Sequence, residues 1–234
     1  MAAKPPLCPA LRRFDDAAAR AEALAAAAGE LLGRACDGHR SAVLAVSGGR
    51  SPVLLFEHLR LLDLNWSAIT VTLVDERLVA ADDPDSNQRL VREHLLRDAA
   101  AAARLQPLFD DPRAGLQACA READERALAA DVVILGMGED GHTASLFADA
   151  RGSEQALDPR CPHTYVGLVP RNAPHPRVSM SLRALAQAPQ LLLSIEGARK
   201  LEVYEAACAR PEGSLPIARL LRARAAPLPT YWSP

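Results

Sequence analysis

The sequence has few aromatic residues. Phe, Trp and Tyr make up 4% of its 234 residues, although 49% of the residues are hydrophobic. The core must therefore be built from Leu, Val, Ile and Ala rather than from stacked rings. A chain of this length can bury a substantial core and falls within the range of a single α/β domain. We expect one domain over residues 1–234.

The chain also lacks an excess of charge of either sign, since its formal net charge is −2. This balance gives no argument for binding nucleic acid or an anionic lipid surface. No uninterrupted apolar run approaches the roughly 20 residues that span a bilayer, and the first residues lack the apolar stretch of a signal peptide. We expect a cytoplasmic protein with no membrane or nucleic-acid partner.

Familiar site motifs are missing as well. The five cysteines are scattered, and no pair has the spacing of a zinc knuckle or a redox dithiol, so we expect reduced structural thiols. There is no H-E-x-x-H motif and no other compact His/Asp cluster, which argues against a metal site. The G-x-S-x-G turn of serine hydrolases is also absent.

What the sequence does contain is an alternation of short apolar runs with helical segments. The clearest predicted strands are Ala42–Val46 and residues 69–74, 132–135 and 191–195, with two further strands at 164–169 and 177–181. The predicted helices cover residues 15–36, 52–62, 87–97, 113–130, 198–209 and 216–224. This order predicts an α/β fold with a doubly wound, mostly parallel sheet and helices on both faces.

In such a sheet, ligands bind outside the carboxyl ends of the strands. Each of the four clearest strands is followed there by a loop with polar residues. These loops are residues 47–51, 75–87, 136–142 and 196–200. We therefore expect the functional site to be assembled from them.

The first loop contains Ser47, Gly48, Gly49, Arg50 and Ser51, followed by a proline that suits a helix start. Two glycines after a strand allow successive backbone N–H groups to face an anion, and the helix N-terminus adds positive potential. The loop lacks the Gly-Lys-Ser/Thr ending of a nucleotide-triphosphate site. It is either a phosphate-binding loop or a plain strand-to-helix turn.

The third loop matches the dinucleotide pattern G-x-G-x-x-G, but we reject that match. Glu139 and Asp140 would place carboxylates against a pyrophosphate, and the loop comes long after the first strand. Asp140 and His142 flank a glycine, so a carboxylate can orient an imidazole that accepts a proton near neutral pH. The alternative is a structural histidine in a turn. The remaining histidines show no partner pattern.

Charged residues also lie at the predicted edge of the sheet where the strands end. Asp75, Glu76 and Arg77 follow the second strand, and Arg177 and Lys200 lie at the ends of later strands. Each is an ordinary surface charge when taken alone. Together, facing the histidine loop, they can bind sugar hydroxyls and grip an anionic group.

Three segments together resemble the glucosamine-6-phosphate isomerase/6-phosphogluconolactonase family, and in particular its lactonases. They are residues 47–52, residues 74–77 with the Asp-Ser-Asn of 85–87, and the long, specific stretch 136–147. The resemblance extends over about residues 40–205, through Arg177 to Lys200. Ala148 and Asp83 depart from the family pattern, which usually has proline and histidine there.

The resemblance implies hydrolysis of 6-phospho-D-glucono-1,5-lactone in the pentose phosphate pathway, without a metal or organic cofactor. It also implies the Rossmann-like fold of glucosamine-6-phosphate deaminases. His142 would be the general base, with Asp140 orienting it and Arg77 stabilising developing charge. The implied substrate-binding residues are Ser47, Gly48, Gly49, Arg50, Ser51, Asp75, Asn87, Gly138, Arg177 and Lys200. The partner would be the small phosphorylated lactone, bound by a monomer or weak homodimer.

Two alternatives differ in their sequence signals. The family's deaminases have a Tyr after Asp-Glu and a Glu shortly after the histidine, whereas this chain has Arg77 and, after His142, Ser145-Leu-Phe147. A non-catalytic sugar-phosphate sensor normally carries a helix-turn-helix. The roughly 40 residues before the first strand are too few and too alanine-rich for one.

Overall fold

The computed structural model describes residues 11–37, 41–49, 51–210 and 212–234, which form ten strands and eight α-helices. The strands are β1 Leu11–Arg13, β2 Ala42–Val46, β3 Ile69–Leu73, β4 Asp75–Arg77, β5 Arg104–Leu105, β6 Val132–Gly136, β7 Tyr165–Leu168, β8 Arg177–Met180, β9 Gln190–Glu196 and β10 Thr230–Ser233. The helices are α1 Ala17–Cys36, α2 Pro52–Leu59, α3 Asn87–His94, α4 Leu116–Glu125, α5 Ser153–Ala156, α6 Leu182–Gln187, α7 Ala198–Ala209 and α8 Pro216–Ala223.

Seven strands form one sheet in the order β1-β10-β9-β6-β2-β3-β5. Every neighbouring pair in this sheet is parallel. The central strands β2 and β6 are continuous apolar runs, which is typical of strands buried on both faces, while β3 also contains two threonines. The predicted mostly parallel α/β fold is confirmed.

Helices cover both faces of this sheet, as the last strand shows. Side chains three positions apart in a strand point to opposite faces. On β10, the Thr230 hydroxyl bonds to the Tyr204 hydroxyl of α7 at 2.8 Å. Ser233 accepts a hydrogen bond from Arg20 of α1 at 2.9 Å. Helices α1 and α7 therefore lie on opposite sides of the sheet.

A small second sheet corrects the expected topology. The strands predicted at 164–169 and 177–181 do not join the parallel sheet but pair antiparallel as β7 and β8. The charged triplet Asp75–Arg77, expected to be a loop, is strand β4 and pairs antiparallel with β8. Charged residues have low strand propensity, so pairing with a partner about a hundred residues away determines this local structure.

Strand β10 was also missed, and helix α4 was predicted too long. Residues 227–234 read as a proline-rich tail, but Thr230–Ser233 is strand β10 between β1 and β9. Its Thr-Tyr-Trp-Ser sequence suits a strand, and the prolines before it lie outside the ladder. Helix α4 begins at Leu116 and not at the predicted residue 113, because the backbone at Gly115, with φ at +88°, is not helical.

The core is aliphatic, as the composition predicts, and its few large aromatic members include Trp66, Tyr204 and Phe56. Cys119 and Cys161 are buried free thiols. Cys208 is disulfide-bonded, so the expectation that all five thiols are reduced is wrong for that residue. Within the described ranges, no helix has the length and apolar character needed to cross a membrane.

Arg20 of α1 links this helix to strands β9 and β10 of the main sheet. Its buried guanidinium donates to the Ile195 carbonyl at 3.0 Å, to the Ser233 hydroxyl and to the Glu196 carboxylate at 2.6 Å. Arg20→Ala should lower the free energy of unfolding by about 3 kcal/mol, because it leaves buried acceptors unpaired.

The matched control is Arg13→Ala, since Arg13 forms an exposed ion pair with Glu205 at 2.7 Å. We expect a loss of about 0–1 kcal/mol there. Urea unfolding followed by circular dichroism measures both variants, and equal losses would contradict the assigned role of Arg20.

Candidate active site

The order of the parallel strands creates a crevice. Strand β2 pairs with β3 on one side, and with β6, which comes later in the chain, on the other. In the β2–β6 pair, Val46 lies opposite Ile134. The loops that leave β2 and β6 at their carboxyl ends therefore diverge. This is the topological switch point at which open α/β sheets bind ligands.

A cavity of about 310 Å³ lies at this point. It brings together nearly all the residues that the sequence analysis selected. Those on its wall are Ser47, Gly48, Gly49, Ser51, Asp75, Arg77, Asn87, Gly138, His142, Arg177 and Lys200. Asp140 is not on the wall but contacts His142. Arg50 lies outside the described residues.

The glycine loop after β2 requires glycine at two positions for different reasons. Gly49 has φ at +97°, which side-chain-bearing residues rarely adopt. A Cβ atom on Gly48 would lie 1.8 Å from the Asn87 amide oxygen, so the backbone approaches the start of α3 closely. Helix α2 then begins with Pro52 at its first position. Backbone N–H groups, the Ser47 and Ser51 hydroxyls and a helix N-terminus thus meet at the cavity, a combination suited to an anion.

The His142 turn holds an imidazole against a carboxylate. The His142 Nδ1 atom lies 2.5 Å from Asp140 Oδ1, and the His142 backbone N–H donates to the same oxygen at 3.2 Å. Because a carboxylate only accepts, Nδ1 carries the proton and Nε2 is left with a free lone pair. The hydrogen bond from His142 lowers the pKa of Asp140 below its ordinary value. The pair is arranged for general-base chemistry.

Close packing determines the position of the imidazole. Its ring centroid lies 4.3 Å from that of Phe147, in a tilted arrangement. A Cβ atom at Gly138 would lie 2.2 Å from the His142 ring, so only glycine fits. Ala144 has φ at +49°, an uncommon conformation for alanine, directly after the turn. The ring is therefore packed closely against both Gly138 and Phe147.

Two arginines face the cavity from the small sheet. In the β4–β8 ladder, Arg77 is directly opposite Arg177. The Nε atoms of both are buried and have no hydrogen-bond partner within the described part of the chain. Burial lowers the pKa of Arg177, and its guanidinium lies 5.5 Å above the Phe147 ring. Such cations favour an anionic ligand.

Asp75 is held by a residue to which the sequence analysis assigned no role. The Ser145 hydroxyl donates to the buried Asp75 carboxylate at 2.5 Å and accepts from Arg177 at 3.4 Å. Ser145 thereby links the histidine turn to both β4 and β8. A serine followed by two apolar residues carries no sequence signal of a contact 70 positions away.

Glu76 is a second residue whose role was missed. Its buried carboxylate accepts hydrogen bonds from the backbone N–H groups of Arg77, Asn87 and Gln88, and from the Ser86 hydroxyl. Burial raises its pKa, although these hydrogen bonds act in the opposite direction. Glu76 therefore fixes the N-terminus of α3, where the Asn87 amide donates to the Asp75 carbonyl at 2.8 Å.

Histidines outside the His142 turn also depart from expectation. No partner pattern was found for them, yet His163 pairs with Asp124 at 2.7 Å and His175 with Asp85 at 2.9 Å. Both partners are distant in sequence, so spacing cannot reveal them. Among the described residues, no group of three or more His, Cys, Asp or Glu side chains is placed to hold a metal ion.

Comparison with known proteins places these residues in context. The family model for glucosamine-6-phosphate isomerases/6-phosphogluconolactonase matches residues 15–232. The chain is 43% identical to a 6-phosphogluconolactonase of Rhizobium meliloti over 225 residues, covering 94% of this chain and 97% of the relative. It is 42% identical to that of Pseudomonas aeruginosa over 229 residues, covering 96% and 94%.

The fold agrees with a solved structure as well. The crystal structure of a 6-phosphogluconolactonase from Shewanella baltica superposes with a TM-score of 0.90 at 36% identity, covering 96% of this chain and 97% of that one. The match therefore extends over both sheets and the cavity loops. The chain belongs to the glucosamine-6-phosphate isomerase/6-phosphogluconolactonase family.

Proposed function

We propose that this chain is a 6-phosphogluconolactonase, which hydrolyses 6-phospho-D-glucono-1,5-lactone to 6-phospho-D-gluconate in the oxidative branch of the pentose phosphate pathway. One observation carries the proposal. The Asp140–His142 pair, 2.5 Å apart, adjoins a cavity whose wall also carries Arg77, Arg177 and Lys200. Relatives 42–43% identical over nearly the whole chain bear that name.

In the proposed reaction, His142 acts through Nε2. This nitrogen takes a proton from a water molecule as the water oxygen attacks the lactone carbonyl carbon. The resulting tetrahedral oxyanion collapses, the bond from that carbon to the ring oxygen breaks, and the imidazolium returns its proton to the ring oxygen. Asp140 keeps the required tautomer and stabilises the imidazolium while it exists. The net change is addition of one water.

Binding of the phosphate is assigned to a second group of residues on the cavity wall. The residues proposed for it are Lys200, Arg177 and the glycine loop 47–51, whose Ser47, Gly48, Gly49 and Ser51 line the wall. Asp75 and Arg77 would face the sugar, with Arg77 near developing negative charge, and Asn87 and Gly138 would complete the wall. Binding energy from the remote phosphate can then align the carbonyl with the water.

The chemistry explains why so small a set of groups suffices. A δ-lactone is an activated ester, so no covalent nucleophile is needed, and general-base help contributes roughly 10²–10⁴-fold.

We also propose one domain over the chain, action in the cytoplasm on this small molecule without nucleic acid, and a monomer or weak homodimer. The charged phosphate supports an intracellular substrate, since it is costly to move through a bilayer.

The deaminase alternative is not favoured by the residues of the cavity. Ring-opening chemistry on glucosamine 6-phosphate needs a further acid shortly after the histidine, where this chain has Ser145-Leu-Phe147 and no carboxylate. The Ser145 hydroxyl donates instead to Asp75. Arg77 occupies the place of the deaminases' tyrosine. An assay of lactone hydrolysis beside ammonia release from glucosamine 6-phosphate distinguishes the two reactions, and ammonia release alone would overturn the proposal.

The first prediction concerns the general base. His142→Ala should lower kcat by roughly 10²–10⁴-fold, because proton abstraction from water is lost while the anion-binding groups remain. The Kd for 6-phosphogluconate, measured by calorimetry, should change little. Turnover is followed by proton release after correction for spontaneous hydrolysis, and unchanged kcat would refute the assignment of His142.

The second prediction concerns the phosphate. Lys200→Ala and Arg177→Ala should each raise KM about 10-fold or more, with a smaller effect on kcat, since each removes a charge-assisted contact. Unphosphorylated gluconolactone is the control substrate, and its slower hydrolysis should be nearly insensitive to both changes. Equal efficiency toward the two lactones in the parent protein would count against a phosphate anchor.

A further inference from the structure

The His175–Asp85 pair lies beside the two cavity arginines. His175 Nε2 and Asp85 Oδ2 are 2.9 Å apart although the residues are 90 positions apart in the chain. His175 belongs to the loop between β7 and β8, and Asp85 to the loop between β4 and α3. We call this pair the loop latch, because it is a side-chain link between these two loops.

Each of the two loops also holds one of the arginines. The Asp85 backbone carbonyl accepts a hydrogen bond from Arg77 Nη1 at 2.5 Å. The Pro174 carbonyl, next to His175, accepts one from Arg177 Nη2 at 3.4 Å. The loop latch therefore connects the two carbonyls that orient the guanidinium groups. A change in the spacing of the loops would change the spacing of the two cations.

The backbone conformation of His175 is an unfavourable one, which indicates that the surrounding structure holds His175 in place beside Asp85. His175 has φ at +66°, in the left-handed region that residues with a side chain seldom adopt. Such outliers persist where the surrounding structure holds them, and they concentrate at functional sites. The hydrogen bond from His175 is also the main cause of the lowered pKa of Asp85.

We infer that His175 and Asp85 are positioning residues, which set the separation of Arg177 from Arg77 so that Arg177 can engage the anionic phosphate of the substrate. This inference rests on the proposed function of the cavity. Neither residue of the loop latch lines the cavity, so they act through the arginines. Their loss should weaken substrate binding and leave the His142 step nearly intact.

Two substitutions at His175 separate the side-chain link from the backbone conformation. His175→Gly removes the hydrogen bond but favours φ at +66°. His175→Asn tolerates that φ and keeps an N–H donor. We expect the glycine variant to raise KM about two- to fivefold, with kcat within about twofold, as suits an exposed pair, and the asparagine variant to recover part of the loss. If only the backbone mattered, the glycine variant would retain the parent KM, which would overturn the inference.

A double-mutant cycle with Asp85→Ala tests the link itself. That variant keeps the carbonyl that holds Arg77 and loses the carboxylate. The double variant His175→Gly/Asp85→Ala should raise KM no more than either single change, whereas additive effects would contradict a direct link. His163→Gly is the matched control, because His163 forms a similar, partly exposed pair with Asp124 at 2.7 Å, and its KM should be unchanged.

Calorimetric titration with 6-phosphogluconate separates this inference from the proposed function. A parent protein that binds the compound without hydrolysing the lactone would refute the function, while a two- to fivefold weaker Kd in the His175→Gly variant would still support the loop latch. A parent protein that hydrolyses the lactone, with the same KM and Kd in His175→Gly, would refute the latch alone. Thermal unfolding verifies that each variant is folded.

Discussion

Parallel pairing of β2 with β6 is the constraint on which the site depends. It places the start of the glycine loop and the start of the His142 turn side by side, since Val46 pairs with Ile134. The connection that leaves β2 leads to β3 on one side and the connection that leaves β6 leads towards β9 on the other, which opens a crevice above this pair. The rest of the site surrounds this gap: β9 adds Ser194, helix α7 adds Lys200, and the small sheet adds the two arginines.

The small sheet allows charged groups to be buried at this edge. Asp75 and Glu76 lie in β4 with exposures of 5% and 4%, and burial of unpaired carboxylates would be prohibitive. Ser145 satisfies Asp75, and the N-terminus of α3 satisfies Glu76 with backbone N–H groups. The same residues therefore fix the sheet, the helix and the Asn87 contact to the glycine loop. Structural and functional roles are inseparable here.

The sequence predicts the framework better than the small sheet, for a physical reason. Apolar runs such as Ala42–Val46 reveal the buried parallel strands, and glycines and carboxylates after them reveal the loops, because both signals are local. The strand at Asp75–Arg77, the contact of Ser145 with Asp75 and the partners of His175 depend on residues far apart in the chain. No local pattern encodes them. The resemblance supplied the roles of His142 and Arg77, which spacing alone left open.

The arginine pair explains how so polar a cavity can discriminate between lactones. Arg77 and Arg177 face each other across one ladder, and each has a buried Nε atom without a partner among the described residues. Under the proposed function, the anionic phosphate offsets the repulsion between the two guanidinium groups. A neutral lactone cannot do so. Under the proposed function, selectivity for the phosphorylated lactone would follow from this repulsion, and the proposed loop latch would set the distance between the two charges.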